Sequence, residues 1–265
     1  MATLHDIQKR ITSVTATHQI TSTMEMISRT KIKRAKRRVD RAEPYAREMR
    51  KLLTVLSDPN GEPVALATPH DSVRKVVLVV ITSDRGLAGQ FNNNILQLAQ
   101  RTLKKYEQRE CQVEIIACGK VGINYFTYRG YKPVIAFRDL SGDPRPEEAD
   151  TIADYLVEAY LSGTIDEVYA FYNHSKNLYE QVPAMWKIMP INMNMFFEQR
   201  MAGNAQGIAD QDPQLKQLQG YINYEPSREA VLSKLLPDYL NGYLNYMLIN
   251  SAEGEQAARQ IAMHN

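Results

Sequence analysis

Residues 1–43 read MATLHDIQKRITSVTATHQITSTMEMISRTKIKRAKRRVDRAE and contain neither glycine nor proline. Pro44 is the first residue that disfavours a helix interior, and the next such residue is Pro59. The absence of both residue types predicts one very long helix, from about residue 3 to residue 56. At about 1.5 Å per residue such a helix spans roughly 80 Å, which is longer than a compact domain of this size.

The apolar residues of this helix recur at intervals of three and four, which is the spacing of a coiled-coil seam. The predicted seam residues in this helix are Leu4, Ile7, Ile11, Val14, Ile32 and Val39. Between Val14 and Ile32 the seam positions are polar, whereas Met24 and Ile27 lie on a different face. This interruption indicates that the middle of the helix also contacts something other than a partner helix.

A second helical pattern closes the chain, over residues 225–265. Ser227 follows a proline and is a typical residue at a helix start. The apolar residues that continue the three-four spacing include Leu236, Leu240, Tyr243 and Met247. The two terminal helices are therefore predicted to form a long antiparallel coiled coil, although Pro237 and Gly254 interrupt the second pattern.

Between the two helices, β-branched runs alternate with helical segments. The strongest run, VRKVVLVVIT at residues 73–82, has the composition of a strand buried on both faces. Further predicted strands are Val113–Ala117, Val134–Phe137, Glu167–Tyr172 and Val182–Ile188. Predicted helices are Phe91–Gln108, Lys120–Tyr128 and Pro146–Leu161. This alternation predicts an α/β domain with an open, mostly parallel, Rossmann-like sheet.

Four regions follow from these patterns. Residues 1–58 form the N-terminal coiled-coil helix, and residues 73–197 form the central α/β domain. Residues 198–224 are polar and contain glycine, which predicts a mobile loop. Residues 225–265 form the C-terminal coiled-coil helix.

The segment after the first strand contains Asp84, Arg85, Gly86 and Gly89. A doubly wound fold binds phosphate at this position, but the glycines match neither G-x-G-x-x-G nor the P-loop spacing. A structural turn is the favoured interpretation, and a nucleotide site in a small-molecule enzyme is the alternative. The sequence contains no G-x-S-x-G and no H-E-x-x-H motif, so we predict no catalytic residues, no metal site and no cofactor.

Positive charge is concentrated at the N-terminus. Residues 1–51 contain 13 basic and five acidic residues, whereas the whole chain has a net charge of +2. Seven of the ten residues Arg29–Arg38 are basic. A solvated helix face is the simplest explanation, and attraction to an acidic protein or to an anionic membrane surface is another. A basic coiled-coil protein that binds nucleic acid is the alternative function.

The composition, with 44% hydrophobic and 23% charged residues, is typical of a globular chain and excludes a disordered or fibrous protein. No apolar stretch is long enough to span a membrane, and the N-terminus does not resemble a signal peptide. Cys111 and Cys118 are predicted to be buried thiols in a reducing compartment, not a disulfide or a metal pair.

Several motifs resemble those of the gamma subunit family of F-type ATP synthases. In chain order they are ITSTMEMIS at residues 20–28, PYA at 44–46, SDRGLAGQFN at 83–92, YEP at 224–226, LLPDYL at 235–240 and EQAARQIAM at 255–263. The resemblance covers the whole chain. Family members continue beyond the last motif, so the resemblance also implies that the C-terminal helix is truncated here.

The resemblance implies a non-catalytic rotor subunit in the central stalk, which couples ion flow through the membrane to ATP synthesis at the beta subunits. Its implied partners are the ring of alpha and beta subunits, the epsilon subunit and the c-subunit ring, with no nucleic acid. By resemblance, the contacts to the beta subunits and the lower stalk include Met24, Glu25, Met26, Ile27, Arg29, Lys31 and Lys33. Tyr224 and Glu225 fall in the part that contacts the c ring. The implied location is the cytoplasmic face of a bacterial inner membrane, where the chain is attached indirectly through the c ring.

Overall fold

The computed structural model describes residues 4–58, 60–140, 144–201 and 224–265. The predicted N-terminal helix is confirmed as α1, Leu4–Leu56, which runs for 53 residues through Pro44. The predicted C-terminal helix is confirmed as α6, Arg228–His264. Ser227 precedes α6, and its hydroxyl accepts a hydrogen bond of 3.2 Å from the backbone N–H of Ala230.

Helices α1 and α6 pack side by side in opposite directions, as three contacts along their length show. Arg228, at the start of α6, donates a hydrogen bond of 2.8 Å to the carbonyl of Leu56, at the end of α1. Midway, Gly242 lies against the ring of Tyr45. At the far end, the ring of His264 is 3.5 Å from the carboxylate of Glu25. The predicted antiparallel helix pair is therefore present.

The predicted strands and helices between the two long helices are present, and one further α-helix, after the last strand, was not predicted. The elements are β1 (Lys75–Ile81), α2 (Phe91–Glu107), β2 (Gln112–Cys118), α3 (Lys120–Tyr128), β3 (Ile135–Phe137), α4 (Pro146–Leu161), β4 (Glu167–Ser175), β5 (Gln181–Met189) and α5 (Met193–Met201). Helix α5 extends four residues into the segment that we predicted as a loop over 198–224. Residues 202–223 of that segment lie outside the described part of the chain.

The five strands form one sheet in the order β3-β2-β1-β4-β5. Strands β3, β2, β1 and β4 run parallel to one another, and β5 runs antiparallel to β4 at the edge of the sheet. Every residue of β1 after Lys75 is buried, which agrees with the prediction of a strand covered on both faces. The mostly parallel α/β fold is confirmed.

One face of the sheet packs on α2 and α3, where Val76, Leu78 and Val80 meet Ile95 and Phe126 in one core. The alternate residues of β1 face the other way, into a second core. That core joins the sheet to α4, α6 and the end of α1 through side chains such as Ile152, Leu240, Leu244, Leu53 and Leu56. Helix α6 therefore belongs to the α/β core as well as to the helix pair.

This arrangement corrects the predicted seam on α6. Leu236, Leu240 and Met247 are fully buried, but in the core that α6 shares with the sheet, and Tyr243 is half-buried beside them. The three-four spacing indicated one buried face, but such a spacing does not show whether a helix, a sheet or both will cover that face. On α1, Ile32 is buried and Val39 is half-buried.

At the start of α1, the predicted seam residues have no partner helix among the described residues. Leu4, Ile7, Ile11 and Val14 are between 48% and 74% exposed. His264, at the end of α6, lies beside Glu25, and no described residue of α6 lies beside the earlier turns of α1. This part of α1 is a single helix with an unpartnered apolar stripe in the described structure.

Both cysteines are free thiols, but only Cys118 is buried as predicted; Cys111 is half-buried, because it precedes β2 at the start of the strand. Cys118 ends β2 and is fully buried, and burial together with the nearby carboxylates of Glu148 and Asp84 raises the pKa of its thiol to about 12. The thiol is therefore protonated and unreactive at neutral pH.

The free energy of unfolding should depend strongly on Leu53, where α1 enters the core. Its side chain is fully buried, whereas that of the adjacent Leu52 is 48% exposed. We expect Leu53→Ala to lower the free energy of unfolding by about 2–5 kcal/mol, through lost burial and a residual cavity. The change for Leu52→Ala should stay within about 0.5 kcal/mol. Urea denaturation of both variants measures the difference, and equal losses would contradict the assignment of this helix face.

Asp166 anchors the start of the sheet. Its carboxylate accepts hydrogen bonds of 2.8 and 2.9 Å from the backbone N–H groups of Arg74 and Lys75, and one of 2.8 Å joins it to the ring of His70. Burial alone would raise the pKa of this carboxyl, but the hydrogen bonds outweigh it and hold the pKa below its ordinary value of 3.8.

Because the folded-state pKa of Asp166 is depressed, its charge stabilises the fold above the unfolded-state pKa and loses that effect as the pH falls through the folded-state value. We expect Asp166→Asn to lower the free energy of unfolding at pH 7 by about 1–3 kcal/mol, because an amide N–H₂ would face a backbone N–H. The difference from the parent chain should shrink below pH 3.8. Asp71→Asn, at an exposed position in the preceding segment, is the control. A difference that does not change with pH would contradict this role.

Candidate functional site: the junction between the helix pair and the sheet

The carboxyl ends of the parallel strands meet the last turns of α6. The segment after β1 begins this junction: Asp84 accepts hydrogen bonds of 2.9 Å from the backbone N–H groups of Lys120 and Asp139, which follow β2 and β3. Gly89 has a φ of +56°, a conformation that glycine adopts without strain. Asp84 therefore connects the carboxyl ends of β1, β2 and β3 through hydrogen bonds, and the predicted fold turn has a structural role.

Helix α6 contributes a buried ion pair to the junction. The guanidinium of Arg259 lies 2.7 Å from the carboxylate of Glu255, and their side chains are only 7% and 3% exposed. The same guanidinium donates to the backbone carbonyls of Arg85 and Gly86, at 3.2 and 3.4 Å. The side-chain amide of Gln256 donates to Glu255 at 3.3 Å. A charged network thus links the end of α6 to the turn after β1.

The crevice that a doubly wound fold uses for ligands is filled by α6. The strand order reverses between β1 and β4, and ligands of such folds bind at the carboxyl ends of the strands at this point. Here Asn250 of α6 accepts a hydrogen bond of 3.0 Å from the backbone N–H of Ser175, at the end of β4. A Cβ at Gly254 would lie 3.3 Å from Gln181 and 3.5 Å from Phe91, so a glycine here lets α6 approach closely.

Helix α6 therefore occupies the switch point at which a nucleotide would bind in a doubly wound fold. In the described residues, no group of three or more His, Cys, Asp or Glu side chains is arranged to hold a metal ion. What the junction can do is mechanical: it fixes the orientation of the helix pair relative to the sheet.

The predicted partner-contact residues of α1 lie next to this junction. Met24 and Lys31 line a groove of about 400 Å³ together with Arg85 and Leu87. The more exposed residues of the set are Met26, Ile27, Arg29 and Lys33. Glu25 is half-buried and pairs with Arg29 at 2.9 Å. Three residues of the set, Met24, Ile27 and Lys31, line this groove, and the role of the set in partner contact stays a prediction.

At the other end of the molecule, Tyr224 is half-buried against the core that includes α6, and Glu225 is exposed. The sequence predicted three regions of interest: the middle of α1, the fold turn after β1, and Tyr224 with Glu225. The structure brings the first two together, because residues of both line one groove. Tyr224 and Glu225 precede the start of α6, whereas that groove lies near its end.

Sequence reasoning did not single out Glu255, Gln256 and Arg259 as a buried network. One signal was present, because the spacing of Glu255 and Arg259 is that of an i,i+4 ion pair on a helix. Such a pair is usually exposed, and only the approach of the Arg85–Gly86 carbonyls makes this one buried.

A family model described as ATP synthase matches residues 3–265. The ATP synthase gamma chain of Syntrophobacter fumaroxidans is 34% identical over 267 residues, which is 100% of this chain and 86% of that protein. The ATP synthase gamma chain of Chloroherpeton thalassium is 36% identical, with 99% of this chain and 86% of that protein covered.

Solved structures have the same fold. The central stalk and c ring of the Tetrahymena thermophila mitochondrial ATP synthase include a chain with a TM-score of 0.62 and 20% identity; the match covers 93% of this chain and 98% of that one. A rotor chain of the Euglena gracilis mitochondrial ATP synthase has a TM-score of 0.53 and 18% identity; the match covers 97% and 88% of the two chains.

Removing one partner of the buried ion pair should strongly lower the free energy of unfolding. We expect Arg259→Met to lower the free energy of unfolding by about 3–5 kcal/mol, because Glu255 is then left charged and buried. The pair Glu25–Arg29 has the same i,i+4 spacing, but its arginine is 64% exposed. Arg29→Met should therefore cost less than about 1 kcal/mol.

The double variant Glu255→Leu, Arg259→Met should be more stable than Arg259→Met alone, because it also removes the buried carboxylate that has lost its ion-pair partner. Chemical denaturation of the three variants gives these comparisons. A loss for Arg259→Met no larger than that for Arg29→Met would contradict the buried network.

Proposed function

Because the chain belongs to the family of ATP synthase gamma chains, we propose that it works as the rotor subunit of the central stalk by turning its helix pair and its α/β domain as one rigid body. As a gamma chain, it is a non-catalytic subunit of the ATP synthase. The observation that carries the mechanical proposal is the double role of α6, which is part of both the helix pair and the α/β core.

Torque applied to the α/β domain would pass to the helices through two kinds of contact. The apolar core holds α6 along much of its length, through fully buried side chains such as Leu236, Leu240 and Leu244. The network of Glu255 and Arg259 holds the far end of α6 to the turn after β1. Apolar packing resists separation, and the directional hydrogen bonds resist sliding, so the helix pair cannot turn independently of the sheet.

The start of α1 supplies the surface for the alpha and beta subunits. Leu4, Ile7, Ile11 and Val14 expose an apolar stripe on a helix that no other described element covers. A contiguous exposed apolar patch is characteristic of a protein interface. The neighbouring surface of Met26 and Ile27, with the basic residues Arg29, Lys31 and Lys33, would extend this contact along α1 to the catalytic subunits.

Tyr224 and Glu225, at the start of α6, would contact the c ring, with the epsilon subunit beside them. The chain would thus be attached peripherally to a bacterial inner membrane, on its cytoplasmic face. In the part of the chain that the structure describes, no helix is both long enough and apolar enough to span a bilayer. Ion flow through the membrane sector would turn the c ring, and this chain would carry the rotation to the sites of ATP synthesis.

The basic run raised the alternative of a nucleic-acid-binding protein. The relatives cited above are ATP synthase gamma chains, so they lend that alternative no support. Within the run, Arg38 donates a hydrogen bond of 3.4 Å to the carbonyl of Pro144, and Lys31 lines the groove beside the junction. Part of this charge therefore serves contacts within the chain.

Reconstitution with the alpha and beta subunits from the same source tests the rotor function. We expect a single complex by gel filtration whose ATPase turnover depends on this chain, whereas the chain alone hydrolyses no ATP. If the subunits do not associate, or if the pure chain hydrolyses ATP, the proposal fails.

The apolar stripe can be tested separately from the fold. The double variant Ile7→Asp, Ile11→Asp should change the free energy of unfolding of the isolated chain by no more than about 0.5 kcal/mol, because both side chains are exposed. It should nevertheless prevent or weaken assembly with the alpha and beta subunits, because the charges would be buried in the interface. Leu52→Asp, exposed at the opposite end of α1, is the control and should assemble normally. Normal assembly of the double variant would show that the stripe is not an interface.

A further inference from the structure

A cavity of about 240 Å³ lies between α1, α6 and strands β4 and β5, away from the junction. Six aromatic residues form much of its wall: Tyr45, Tyr172, Trp186, Tyr239, Tyr243 and Tyr246. An apolar cavity of about 150 Å³ is large enough to hold benzene. This cavity therefore has room for one aromatic ring with small substituents.

The aromatic side chains are arranged in both of the geometries that rings favour. Tyr239 and Tyr243 are stacked with their centroids 5.8 Å apart and an interplanar angle of 9°. Trp186 meets Tyr243 edge-on, at 6.5 Å and 89°. Offset stacking and edge-to-face contact within about 4.5–7 Å are the arrangements that attract a further aromatic ring. The wall thus favours a planar aromatic ligand over an aliphatic one.

Several polar groups that line the cavity have no hydrogen-bond partner among the described residues. In the described structure, no hydrogen bond engages the hydroxyls of Tyr172, Tyr239 or Tyr243. The Nδ1 atom of His174, which also lines the cavity, is buried and has no hydrogen-bond partner among the described residues. Burial raises the pKa of Tyr172 and of Tyr239 to about 12, so both hydroxyls are neutral donors at pH 7.

Arg50 adds a positive charge to the same wall. Its Nε donates a hydrogen bond of 3.3 Å to the carbonyl of Ala46, and no carboxylate of the described chain lies within ion-pair distance of its guanidinium. The charge of Arg50 acts on the hydroxyls of Tyr239, Tyr243 and Tyr246, where it opposes the rise in pKa that burial causes. A guanidinium and several phenol donors thus line one space, and the exposed position of Arg50 leaves its guanidinium accessible to a ligand as well as to water.

We propose that this cavity binds a small planar aromatic carboxylate. Its ring would pack against Trp186, Tyr239 and Tyr243, and its carboxylate would accept hydrogen bonds from the guanidinium of Arg50 and from the tyrosine hydroxyls. Glu43 also lines the cavity, and its exposed side chain allows its charge to remain solvated. A bound ring would touch α1, α6 and the sheet at once and would brace the helix pair against the α/β domain.

Trp186 provides the measurement, because it is the only tryptophan of the chain and lines the cavity. Titration of the full chain with 4-hydroxybenzoate, with selective excitation of tryptophan, should give a saturable change in fluorescence with one ligand per chain. Arg50→Gln should weaken binding about tenfold or more, because the ligand loses its charge-assisted hydrogen bonds. Arg47→Gln is the matched control: Arg47 is exposed on the same helix but does not line the cavity, so binding should not change.

Two further binding experiments test the location of the site and the chemical class of the ligand. Ala46→Phe places a ring in the cavity and should abolish binding, while the circular dichroism spectrum and the unfolding midpoint show that the chain remains folded. The uncharged analogue 4-hydroxybenzamide should bind about tenfold more weakly than the carboxylate. The absence of a saturable change overturns the proposal. So does equal binding of the amide, or unchanged binding by Arg50→Gln or by folded Ala46→Phe.

Discussion

The burial of α6 on two sides is the constraint on which the rest of the structure depends. Leu236, Leu240 and Leu244 of this helix complete the core beneath the sheet, and the same helix runs antiparallel to α1. Full burial of each such side chain contributes about 1.5–3 kcal/mol. Separating the helix pair from the α/β domain would therefore expose the main core of the molecule, and the two parts behave as one body.

The character of the α6 interface changes along the helix. Near its start the buried residues are leucines, whereas Asn250, Glu255 and Arg259 are buried near its end. Apolar contacts alone would tolerate a shift of one turn, because one leucine replaces another in the same pocket. The hydrogen bonds to Ser175, Arg85 and Gly86 do not tolerate it, since each requires one donor and one acceptor at one place. The polar end thus sets the register that a torque-bearing subunit needs.

Much of the fold could be predicted from local patterns. The helical spacing, the absence of breakers in residues 1–43 and the β-branched runs gave the two long helices and the order of strands and helices. The coiled-coil seam was harder to predict, because an apolar stripe indicates that a helix face is covered without showing which element covers it. Leu240 faces the sheet core, and Ile11 has no covering element in the described chain, yet the two residues carry the same signal in the sequence.

The sequence by itself determined most of the secondary structure, the mostly parallel character of the sheet and, through motifs spread over the whole chain, the family. These depend on short-range backbone preferences and on side-chain periodicity, both of which can be read along the chain. Only the tertiary structure decided that α6 occupies the switch point of the sheet, that Glu255 and Arg259 are buried, and that six aromatic residues line one cavity. The physical reason is that these properties arise between residues far apart in sequence, where burial depends on which surfaces the completed fold brings together.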